Sequence, residues 1–105
     1  MTARARLPNR RASFSLDFEC CGLGYTTTMS RFADGRIGEV FLSTHRVNSQ
    51  AGIMASDQAV LASLALQFGC PLETLRKAVM RDSAGRATSP IGIALDLIAD
   101  EGEAP

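Results

Sequence analysis

From position 14 the chain alternates apolar and polar residues, with Phe14, Leu16, Phe18 and Cys20 interleaved by Ser15, Asp17 and Glu19. A period of two is the mark of a strand with one buried face. Gly22 and Gly24 interrupt the pattern and predict a bend or bulge, after which the Thr-rich run from Tyr25 to Ala33 has good strand propensity. Asp34-Gly35 then separates this run from a third one, Ile37 to Thr44. Asp-Gly favours a tight hairpin because Gly takes positive φ without a Cβ clash and the Asp carboxylate can accept from nearby backbone N–H groups. In the third segment Val40 and Leu42 are expected on one face and Ile37, Glu39 and Phe41 on the other. Both faces carry apolar groups, so one packs on helices while the other meets a partner or stays partly exposed.

Beyond about Asn48 the period changes. Ile53, Val60, Leu61, Leu64 and Phe68 recur at helical spacing and predict a central core helix over 53–68. At 100° per residue, Ile53, Leu64 and Phe68 share one arc and Asp57 falls inside it, which places a carboxylate on the expected core stripe. Gly69 ends this helix and Pro71 opens a short second one carrying Leu72, Leu75 and Val79, with Glu73 and Lys77 as an i, i+4 pair. Polar residues and Gly85 predict a loop over 81–88, and Ser89-Pro90 starts a last helix on the stripe Ile91, Ala94, Leu95 and Ile98. Three strands followed by three helices predict an α+β fold, a three-stranded antiparallel sheet with its hairpin at Asp34-Gly35 and three helices on one face.

A length of 105 residues allows one core, burying roughly 60 to 70% of the unfolded surface. Residues 1–12 read as a basic, flexible arm holding Arg4, Arg6, Arg10 and Arg11, residues 13–100 as the folded domain, and 101–105 as a fraying acidic tail. The arm is either a solvated tail or a phosphate-contacting segment. A formal net charge of +0 gives no general attraction to polyanions, and the absence of Trp leaves few platforms for stacking bases. Three cysteines without a CxxC, no signal-peptide core and no apolar run of ~20 residues predict a cytoplasmic protein that does not span a membrane.

The candidate chemistry is sparse. An unpaired carboxylate on a buried stripe is costly, so Asp57 either caps a helix starting near Ser56, pairs with an Arg, or serves in binding. Asp34, Arg36 and Glu39 cluster at the hairpin, as a solvated tip or as a charged surface for a partner. Cys20-Cys21 supplies two soft ligands and no set to complete a metal site, and His45 has no Ser or Cys at a recognised spacing. Gly22-Leu23-Gly24 is followed by neither a phosphate-loop Lys nor a completed dinucleotide fingerprint. No catalytic and no metal residue is assigned.

Several segments together resemble a known family. They are the run from Leu7-Pro8-Asn9-Arg10 through Tyr25, then Ala33-Asp34-Gly35-Arg36-Ile37-Gly38-Glu39-Val40-Phe41, Ser63-Leu64-Ala65-Leu66-Gln67-Phe68-Gly69 and Pro71-Leu72-Glu73. In order and separation they resemble the TSCPD domain near the C-terminus of adenosylcobalamin-dependent (class II) ribonucleotide reductases, over about Leu7 to Ile98. The resemblance implies a free-standing, non-catalytic accessory or regulatory domain that binds a reductase catalytic chain, a nucleotide or a second copy of itself. Adenosylcobalamin and the radical chemistry belong to the large barrel of the full-length enzymes, so no activity is expected of this chain alone. The namesake Thr-Ser-Cys-Pro-Asp motif persists in part, as Met54-Ala55-Ser56-Asp57, without its Cys and Pro, and a metal or thiol role for that Cys loses its basis here. An arginine-based nucleic-acid or nucleotide binding module is the alternative.

Overall fold

The structure, a computed structural model, describes residues 3–9, 13–46 and 49–102. The expectations for Arg10, Arg11 and residues 103–105 lie outside them. Strands β1 (Ser13–Cys20), β2 (Leu23–Arg31) and β3 (Ile37–Thr44) form an antiparallel sheet in the order β1-β2-β3, followed by helices α1 (Gln50–Gln67), α2 (Leu72–Ala78) and α3 (Pro90–Gly102). The α+β architecture is the one the sequence pattern predicts.

Two hairpins build the sheet. Cys20 pairs with Leu23, which leaves Cys21-Gly22 as a two-residue turn with φ of 54° and 81°. Positive φ at both positions matches the right-handed twist of the flanking strands. Of the bend or bulge expected at Gly22, the structure shows the bend, as a tight turn. The second hairpin closes through Phe32 and Arg36, whose N–H and C=O are bonded at 2.7 Å, with Gly35 at φ 94°.

The bulge lies instead in β3. Ser30 pairs with Glu39 and Arg31 with Ile37, so Gly38 is the extra residue. This corrects the expected placing of Ile37: the inserted residue resets the alternation, and Ile37 joins Val40 and Leu42 in the core while Glu39 and Phe41 face outward. A side chain at Gly38 would meet the Phe32 ring within 2.6 Å, and the Arg36 guanidinium lies over that ring, 4.9 Å from its centroid.

Helix α1 packs along β3, but with the face opposite to the expected one. Ala55, Ala59, Ala62, Ser63, Leu66 and Gln67 are buried, whereas Ile53, Val60, Leu61 and Phe68 are exposed. The stripe read from the sequence is a continuous stripe, only it faces outward. Small side chains bring the helix axis close to the strand, and two polar ones use that closeness. The Ser63 hydroxyl donates to the Val40 carbonyl at 2.9 Å and accepts from the Val40 N–H at 2.8 Å, while Gln67 Nε2 donates to the Gly38 carbonyl at 2.9 Å. These bonds satisfy backbone groups of an edge strand that would otherwise be buried without partners.

Helix α3 supplies Ala94, Leu95 and Ile98, which with Met29 and Val40 of the sheet are among the most deeply buried apolar residues of the core. Ser89 caps it by accepting from the Gly92 N–H. Helices α2 and α3 are tied by charge. Asp96 of α3 accepts from Arg76 at 2.9 Å and from Arg81 at 2.8 Å, and Arg81 also donates to the Arg76 carbonyl and to Gly85. Glu73 pairs with Arg76, which also meets Asp96, and not with Lys77 as the spacing predicted.

The Arg81 and Arg76 bonds hold the Asp96 carboxyl below the usual carboxylate range, against the opposing effect of burial. A carboxylate with a depressed native pKa contributes stability above its unfolded value of about 3.9 and loses it as pH falls through the native value. Urea titrations from pH 7 downward should therefore show stability falling below about pH 4, and Asp96→Asn should flatten part of that fall while costing about 2 kcal/mol at pH 7. An Asp96→Asn variant with the unaltered pH profile would show that the cluster does not carry the effect.

Candidate functional site

The four residues singled out in the sequence do not converge. Asp34 and Arg36 do meet: the carboxylate accepts from the Arg36 backbone N–H at 3.0 Å and from its Nε at 2.7 Å, on an exposed tip. The Arg36 N–H and guanidinium hold the Asp34 carboxyl below its ordinary range. Glu39 stands elsewhere, on the outer side of β3.

There a groove of about 330 Å³ runs between β3 and α1. Phe41, Val60 and Leu64 form its apolar walls, and Glu39, Ser56 and Arg4 are among its polar residues. Arg4 is fixed at that rim by donating to the Gln67 side chain, while the Ala5 N–H donates to the Gln67 carbonyl. Gln67 thus ties β3, α1 and the described part of the N-terminal arm together. It lies in one of the segments that carried the family resemblance. The signal that marks it and Ser63 is a pair of polar residues at i, i+4 on an alanine face.

The structure moves Asp57 off the expected core stripe and out of the first turn. Helix α1 starts at Gln50 with Ser49 as its cap, accepting from the Gly52 N–H at 3.0 Å, so Asp57 lies in neither the first turn nor the core. It is exposed, and it lines a shallow hollow with Arg46, Ser49 and Ile53 at the start of α1. Around it spreads the helix's outer face. Ile53 is 60%, Met54 50%, Val60 52% and Leu61 68% exposed, with Phe68 at 43% and Phe41 of β3 at 52%. A single carboxylate thus sits in a broad apolar surface.

The remaining candidates are accounted for locally. Burial, then the adjacent Cys21 thiol, pushes the Cys20 thiol up, and Cys20 Sγ lies 3.8 Å from Cys21 Sγ. A thiol held protonated in a core is a poor nucleophile. His45 has a hydroxyl partner that the sequence did not reveal, Thr26 Oγ1 at 3.0 Å, but the Thr26 proton goes to Asp17 at 2.6 Å. The hydroxyl therefore receives a bond at His45 and is not activated by it. Among the described residues, no three His, Cys, Asp or Glu side chains gather as a metal set. Among them, too, no helix is long and apolar enough to cross a membrane.

The chain is 37% identical over 70 residues to a vitamin B12-dependent ribonucleotide reductase of Agrobacterium fabrum, a match that takes in 67% of this chain and 6% of that protein. It is related to a short segment of these reductases. Reductases of the same description from Rhodopirellula baltica and Streptomyces coelicolor are 32% and 34% identical over 72 and 71 residues, 69% and 68% of this chain. The chain spans about 6 to 7% of the length of these relatives. No protein-family model and no solved structure matches it. What the described part of this reductase-related chain offers is a surface, apolar on α1 and Phe41 and polar at the groove beside it.

Proposed function

We propose that this reductase-related chain is a TSCPD-type accessory domain, cytoplasmic, that acts by binding a ribonucleotide reductase catalytic chain through the outer face of α1 and Phe41. The observation that carries the reading is the exposure of six large apolar side chains on one contiguous surface. Together they present on the order of 600 Å² of apolar area, at the upper end of what monomers leave exposed and close to the ~800 Å² per partner of a standard interface. In the relatives the matched segment is a small part of a long chain, where such a face can lie against the rest of the polypeptide. Three free thiols fit a reducing compartment. Arg36, Arg76, Arg81 and Arg86 are each paired with a carboxylate, which leaves the arginine-based reading to the other arginines.

Titration of the chain into a purified B12-dependent reductase from the same source tests this. Association is expected in the micromolar range or tighter, and Leu61→Asp and Phe68→Asp should each weaken it at least about tenfold with unchanged melting temperature. No association of the native chain at tens of micromolar, or equal binding by both variants, would end the proposal.

A further inference from the structure

The two edges of the sheet are treated differently. Along β3 the outward backbone groups of Gly38 and Val40 are taken up by Gln67 and Ser63. Among the described residues, nothing is bonded in that way along the outer side of β1. β1 is eight residues long, regular in its pairing to β2, and free of Pro, Lys and bulges, with Asp17 and Glu19 as its only charged side chains. Its inner-face residues Phe14, Leu16 and Phe18 are only half-buried, although Phe14 and Phe18 reach the core and Phe18 stacks on Tyr25 at 5.5 Å.

We infer that β1 pairs antiparallel with β1 of a second copy of this chain, joining two three-stranded sheets into one of six strands. The sequence of the strand selects the register. Two-fold symmetric antiparallel pairing places one residue opposite its own copy and keeps each face on its own side. Centred on Asp17, the pair sets two carboxylates against each other, and centred on Phe18 it sets Asp17 against Glu19. Centred on Ser15, Phe18 passes beyond the end of the partner strand. Centred on Leu16, Phe14 meets the partner's Phe18, Leu16 meets its copy, and Ser15 and Ser13 meet Asp17 and Glu19. That register alone of the four joins the apolar residues without opposing like charges.

This surface is separate from the α1 face, and one set of variants distinguishes the two. Sedimentation equilibrium of the native chain should give twice its 11.2 kDa mass. Leu16→Lys, with like charges on the two-fold axis, should give the monomer mass with an unchanged circular dichroism spectrum, while Leu61→Asp should leave the dimer. Ser15→Lys should tighten the dimer about fivefold at low salt by facing Asp17 of the other copy twice, and Ser15→Asp should loosen it. A native chain that stays monomeric at hundreds of micromolar would overturn the inference. So would a dimer lost in Leu61→Asp and kept in Leu16→Lys, or a Ser15→Lys dimer no tighter than the native one.

Discussion

Ala59→Leu should lower the melting temperature by on the order of 15 °C, whereas Leu61→Ala, two residues away, should change it by no more than about 2 °C. Ala59 is 2% exposed on the face of α1 that meets the core, and Leu61 is 68% exposed on the other. Three extra carbons at position 59 would push the helix away from β3. Overpacking alone costs about 1–3 kcal/mol, and displacement of the helix would also stretch the Ser63 and Gln67 bonds to the strand. Thermal unfolding followed by circular dichroism reads both variants. A greater loss for Leu61→Ala than for Ala59→Leu would mean that the core lies on the other side of the helix.

Replacing Ser63 with Ala should cost about 3 kcal/mol, the second largest single-site loss expected. The hydroxyl serves a buried donor and a buried acceptor of the same residue, Val40, and Ala offers a partner to neither. Each backbone group left without a partner costs roughly 1–3 kcal/mol. Urea denaturation should show the midpoint falling with an unchanged slope, because the variant loses bonds and not compactness. A loss below about 0.5 kcal/mol would show that the helix does not supply the partners of the β3 edge.

These two variants also mark where sequence and structure part. The alternation from Phe14 to Cys20 and the stripe of α3 translate directly into elements, since each has one apolar face and one polar face, and the Asp34-Gly35 turn does so through local turn chemistry. Helix α1 has two apolar arcs, one of alanines and one of bulky residues, and periodicity cannot say which is buried. The bulky arc draws the eye, but a helix lying against a strand needs small residues at the contact. Asp57 followed the bulky arc outward and ceased to be a buried carboxylate. Ile37 was misplaced for a different reason, since one inserted residue at Gly38 reverses the face of everything before it. Of the candidate surface, Asp34 with Arg36 was legible from local turn chemistry. The groove beside Glu39 was not, because Val60, Leu64 and Arg4 reach it only through tertiary packing.

The order of elements along the chain bears on how the protein is made. The extensive contacts join neighbours in sequence, β1 with β2, β2 with β3 and β3 with α1, so each element meets its principal partner soon after it emerges from the ribosome. Helix α3 is the exception. It is synthesised last of the described elements and returns across the whole chain to lay Ala94, Leu95 and Ile98 on strands finished long before. Until then the part of the sheet that α3 covers is open, and the nascent sheet carries that apolar face together with the unpaired edge of β1. The interval between completion of α1 and arrival of α3 is thus when a growing chain is most exposed to pairing with the wrong neighbour.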